Sequence, residues 1–144
     1  MKAPPLFRDR SRPAQIVLGG VIPLLFGAVV GIVLGVSAGA YWGLAALAGV
    51  GGFLAGFEHR DGWGGADRGL VGGSIFALGI LIAHAIAGTH AKVSLGSFPP
   101  FLIVIDAIAG MFIGALGGRL ARTMRWRSGT VSEPSPGGAD GDLA

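Results

Sequence analysis

Charge is missing from the stretch where a folded soluble domain would need it. From Pro13 to Phe57 the chain contains no Asp, Glu, Lys or Arg. A bilayer core asks for about 20 apolar residues per helical span. The uncharged window is about twice that length, which predicts two spans joined by a short turn rather than one very long helix. Cysteine is absent from all 144 residues, excluding disulfides, thiolate metal sites and cysteine nucleophiles. Asparagine is absent too, and Gln15 is the sole glutamine, so the amides that commonly hold polar substrates are missing. No Gly-rich phosphate loop precedes a lysine, and no G-x-S-x-G elbow is present. An enzyme therefore has little to stand on, and neither a cofactor nor a metal is expected.

What is abundant is glycine: 28 residues, well above the roughly 7% of average proteins. Glycine costs a helix in water about 1 kcal/mol relative to alanine, yet it is frequent in membrane helices, where it lets backbones approach closely. The Gly-X-Y period of collagen is absent. The net charge of +3 does not point to nucleic acid, because the basic residues flank apolar segments instead of forming a stripe on a polar domain.

The fold class expected is all-α: an integral membrane four-helix bundle with Gly-xxx-Gly packing. A basic N-terminus (1–15) precedes a membrane domain (16–127) with spans at about 16–36, 41–57, 69–87 and 101–120, and a disordered tail (128–144) rich in Gly, Pro, Ser and Asp follows. Pro23 should kink the first span. Val36-Ser37-Ala38 has the small-x-small form of a signal cleavage site, but the apolar run before it exceeds a signal core, so a retained span is expected. Tyr41 and Trp42 suit an interfacial aromatic belt. With both termini in the cytoplasm, Lys2, Arg8, Arg10, Arg12, Arg60, Arg68, Arg119, Arg122, Arg125 and Arg127 lie inside and only Lys92 outside. That asymmetry predicts the cytoplasmic membrane with N- and C-termini inside.

Glycines recur every four residues: Gly27, Gly31, Gly35 and Gly39 in the first span, Gly52 and Gly56 in the second, Gly69 and Gly73 in the third, and Gly110, Gly114 and Gly118 in the fourth. Residues four apart share a helix face, so each span presents a smooth groove to another helix, and a surplus groove would imply a homo-oligomer or a membrane-protein partner. Asp106 is the only carboxylate, and His84 the only histidine, inside a span. Such groups usually face the bundle interior and find a partner. Each lies four or five residues from the outer end of its span, so in an antiparallel hairpin the two are expected to meet. They would then form either a proton or cation relay or a structural hydrogen bond.

The charges of His59-Arg60-Asp61 match only the opening of a kinase catalytic loop and are expected to cap helices instead. Arg119, Arg122, Arg125 and Arg127 with Trp126 make a basic, aromatic end to the fourth span, suited to anionic lipid headgroups.

The stretch Gly51-Gly52-Phe53-Leu54-Ala55-Gly56-Phe57, then Arg60-Asp61-Gly62 and Arg68-Gly69-Leu70-Val71-Gly72-Gly73, resembles small glycine-rich four-span prokaryotic membrane proteins of uncharacterised function. The resemblance covers the second and third spans and implies the bundle without implying an activity. Two functional expectations follow. The first is a non-catalytic packing or accessory component of a membrane assembly, with Asp106 sealed by its neighbours. The second is a small oligomeric channel or transporter for an ion, a proton or a solute, with a cavity reaching Asp106 and with His84 in the same path.

Overall fold

Pro23 sets the shape of the first helix. The computed structural model describes residues 9–127. Lys2, Arg8 and the expected disordered tail (128–144) lie outside the described residues. Helix α1 spans Arg12–Leu34, with Pro13 in its first turn, where a missing N–H costs nothing. One turn before Pro23 it widens into a π-helical turn, Val17–Val21, in which the Ile22 N–H donates to the Val17 carbonyl. An ordinary helix pairs the carbonyls of Leu18 and Gly19 with the N–H groups of residues 22 and 23. Here Ile22 has turned to Val17 and proline has no N–H, so both carbonyls lose their normal donors.

Three helices follow. α2 is Ala38–Gly56, α3 is Gly62–Ala87 and α4 is Phe101–Arg127. All four are long and apolar enough to cross a membrane. Several bounds differ from the expected spans. α2 starts at Ala38 rather than Tyr41, because Ser37 caps it: the Ala40 N–H donates to the Ser37 hydroxyl at 3.4 Å. α3 begins at Gly62, about two turns before Gly69, because the Gly64 N–H donates to the Asp61 carboxylate at 2.8 Å. Arg68 therefore stands inside a helix, not in a loop. α3 ends at Gly88, in the left-handed conformation with φ 63°. α4 runs past Leu120 to Arg127, its last turns built from good helix formers.

α3 is the central helix. Against α4 it runs antiparallel: Gly65 opposes Gly114, Gly69 opposes Gly110, and Gly73 opposes the Asp106 carbonyl. Every step of four up α3 is a step of four down α4. Against α1 it runs parallel, with Gly27 on the Phe76 backbone and Gly31 on that of Ile80. A Cβ added at any of these glycines would overlap the facing carbonyl oxygen. Val30, Leu34, Tyr41 and Ile80 form the buried core at the far end of α1. The segment after α3 returns over that end, where the Lys92 N–H donates to the Leu34 carbonyl at 2.9 Å. The outer surface is apolar: Ile32, Val36, Leu54, Ile86 and Phe112 are each more than half exposed.

Candidate functional site

α2 is held at its two ends and stands off between them. Its only buried residues are Tyr41, in the first turn, and Gly56, the last residue. Tyr41 is 5% exposed and packs with Val30, Leu34 and Ile80. Gly56 sits on α4, where an added Cβ would press on Gly114, Gly117 and Gly118. Between these pins, an added Cβ at Gly43 or Gly51 would find nothing within 4 Å, and at Gly49 or Gly52 only the Ile113 side chain, at 3.7 Å. Small residues here leave space that neighbouring side chains do not fill.

Beside Gly49, Gly51 and Gly52 that space is a cavity of about 640 Å3 bounded by all four helices. Leu18, Ile22 and Phe26 line it from α1, Ala48, Val50 and Leu54 from α2, Gly69, Gly73 and Phe76 from α3, and Ala109, Gly110 and Ile113 from α4. Phe26 and Phe76 stack across it, with ring centroids 6.1 Å apart and planes at 25°. The wall is apolar except for three charged side chains: Glu58, Arg68 and Asp106.

Glu58 and Arg68 belong to a network at one end. The Arg68 guanidinium donates to the carbonyls of Gly19, at 3.2 Å, and of Leu18. These are the two carbonyls that lost their donors to the π turn and Pro23. A carbonyl buried without a donor is unfavourable, and the fork of an arginine suits two adjacent acceptors. Glu58 acts electrostatically on Arg68 and pairs with Arg10 at 2.6 Å. The network thus ties the start of α1, the end of α2 and the first turns of α3 together across the cavity end.

Asp106 is different. Its side chain is half-buried and lines the cavity, and among the described residues it makes no hydrogen bond and no ion pair. Tyr41, at the far pin of α2, is the polar group that feels its charge. Distance along the bundle separates it from His84. Asp106 is level with Gly73, and His84 stands eleven residues further along α3, about 16 Å at 1.5 Å per residue. The same register continued would place His84 level with Leu95, before α4 begins. His84 does not line the cavity, and its buried Nδ1 has no hydrogen-bond partner.

The remaining candidate residues divide. Gly27, Gly31, Gly56, Gly69, Gly73, Gly110, Gly114 and Gly118 lie against another segment's backbone. Gly35 lies against Thr89, Gly52 against the Ile113 side chain, and Gly39 meets nothing nearer than the Ser37 hydroxyl at 3.9 Å. Arg119 lies across Gly62 and Arg122 is exposed. The side chains of Arg125, Trp126 and Arg127 lie outside the described residues. No group of three metal-ligating side chains occurs among the described residues. Sequence reasoning left Arg10, Glu58 and Arg68 out of the site. Their signal was a proline inside one span facing a need for donors, with an arginine at the mouth of another. Comparison with protein-family models, curated proteins and solved structures finds no match to this chain.

Proposed function

We propose that this chain is a multi-pass membrane protein that carries or conducts a small solute through the cavity beside α2, with Asp106 as the group the solute meets. One observation carries the reading: a cavity of about 640 Å3 reaches a carboxylate that has no hydrogen bond or ion pair among the described residues. A purely structural Asp106 would be sealed by packing or bonded to a partner helix, since an unpaired carboxylate among apolar walls is unfavourable. His84 has no part in this path.

The apolar outer surface and four long apolar helices support insertion in a bilayer. The distribution of basic residues, ten against Lys92 alone, supports the cytoplasmic membrane with both termini inside. In that setting the four-residue glycine stripes of α1, α3 and α4 form the fixed half of the protein, a packing in which backbones themselves are the contact surface. α2 is the half with room to move. Arg119, Arg122, Arg125 and Arg127, with Trp126, anchor the fourth helix in anionic headgroups. The Arg10–Glu58–Arg68 network closes one mouth of the cavity. No cofactor enters this reading.

Flux into vesicles containing the purified full chain, measured with a panel of cationic, neutral and anionic solutes, tests it. Asp106→Ala should abolish flux while the protein stays monodisperse and helical by circular dichroism. Unchanged flux in Asp106→Ala, or no flux of any solute with the unmodified chain, would end the transport reading.

A second reading, an accessory subunit or a homo-oligomer, is favoured by the unfilled positions Gly43 and Gly51 on α2. With Leu47 between them at four-residue spacing, they leave a shallow strip of the kind another helix can occupy. Cross-linking in membranes separates the two readings. An assembly role predicts that Gly43→Leu and Gly51→Leu dissolve an oligomer that Asp106→Ala leaves intact.

A further inference from the structure

We infer that the cavity binds a monovalent lipophilic organic cation, its charge set against the Asp106 carboxylate and its carbon-rich body against Phe26, Phe76 and Ile113. This deepens, and rests on, the reading of the cavity as a solute path. Four observations select this class of ligand.

The first is charge. Arg68 is engaged by the Leu18 and Gly19 carbonyls, and Glu58 by Arg10. Asp106 is the charged wall residue that has no bonded partner among the described residues. A cation would satisfy it, whereas an anion would meet uncompensated repulsion. The second is the wall. Phe26 and Phe76 line the cavity, and an aromatic ring attracts a cation more strongly when water is excluded. The third is size. At about 640 Å3 the cavity falls within the roughly 300–1,000 Å3 that accommodates drug-sized molecules. A bare metal ion is poorly served there, since no ring of oxygen ligands replaces its hydration shell. The fourth is access. Leu54 and Val50 line the cavity and are also 59% and 55% exposed. The space therefore opens on the flank of α2, which in a bilayer faces acyl chains, so a ligand that partitions into lipid can enter sideways.

Tetraphenylphosphonium and tetraphenylborate have nearly the same size and shape and opposite charge. Equilibrium binding of each to the purified full chain in detergent isolates the electrostatic part of recognition. The cation should bind and the anion should bind about tenfold more weakly or worse. Asp106→Asn should erase that preference, while the control Asp67→Asn, at an exposed position of α3, should preserve it. Ala48→Trp fills the cavity from α2 and leaves the carboxylate in place, so it should remove binding of the cation even if Asp106→Asn fails to fold. Equal binding of the two ions, a preference that survives in Asp106→Asn, or displacement of both ions alike by added phosphatidylcholine would show an acyl-chain cleft and overturn the inference. Binding of the cation without flux in vesicles would uphold this site and defeat the transport reading. Flux of neutral solutes without cation binding would do the reverse.

Discussion

The seam between α3 and α4 and the flank of α2 are built from the same residue, used to opposite ends. Along the seam, Gly65, Gly69, Gly73, Gly110 and Gly114 bring two backbones together so closely that no side chain fits between them. Along α2, Gly43 and Gly51 approach nothing, and Gly49 and Gly52 meet one isoleucine. Glycine is a packing device only where a partner backbone occupies the space that it vacates. Where none does, the missing side chain leaves space: open surface at Gly43, and at Gly49, Gly51 and Gly52 part of the cavity that Asp106 also lines. The spacing in sequence is similar in both places, so the partner, and not the motif, decides the outcome.

Substitutions can break this contrast directly. Gly69→Leu should have the largest effect. Its side chain would drive into the Gly110 carbonyl, and with backbone on both sides there is no rotamer to yield, so the loss should exceed about 3 kcal/mol. Thermal unfolding in detergent, with recovered monodisperse protein as a second readout, measures it. A Gly69→Leu variant as stable as the parent would show that the seam is looser than described.

Arg68→Met comes next, removing the donor to Leu18 and Gly19 at a cost of about 1–3 kcal/mol for the stranded acceptors. Pro23→Ala returns a backbone N–H to the break, so in the Arg68→Met background it should recover part of the loss. A double-mutant cycle should show coupling of about 1 kcal/mol or more. Strict additivity would mean that arginine and proline act independently.

Glu58→Gln should cost less, under about 1 kcal/mol, because both partners in the Arg10 pair are partly exposed, at 30% and 28%. It sharpens the comparison in function rather than stability, since it loosens one end of α2. Faster flux, or faster amide exchange in the last turns of α2, is the expected sign.

Gly51→Ala should have the smallest effect and the opposite sign. Nothing lies within 4 Å of the new methyl group, so α2 should gain up to about 1 kcal/mol of helix propensity. Destabilisation by Gly51→Ala would mean that this side of α2 is covered by something the isolated chain does not provide.

The number and order of the helices were legible because long uncharged runs have few physical outcomes. The glycine stripes of α3 and α4 were legible for the same reason: a four-residue period has a single geometric meaning on a helix. Three things were not. Helix ends give the relative depths of His84 and Asp106 only if those ends are level. The ends are not level, because α3 continues beyond the point where α4 starts, and only the contact of Gly73 with Asp106 fixes the register. A charge inside a span is costly without a partner, so the sequence alone places Arg68 in a loop. Its partners lie 49 and 50 residues earlier, in backbone carbonyls that the sequence marks only through Pro23. The cavity is a failure of α2 to close on its neighbours, and no local feature of α2 distinguishes that from close packing.

The arginine that completes α1 comes from a helix made later in synthesis. A chain emerging N-terminus first completes its opening helix with these two backbone acceptors still lacking their donor, a condition that water-free surroundings would penalise heavily. The break beside one proline is thus closed by a side chain some fifty residues downstream, so the first helix is complete only in the company of the third.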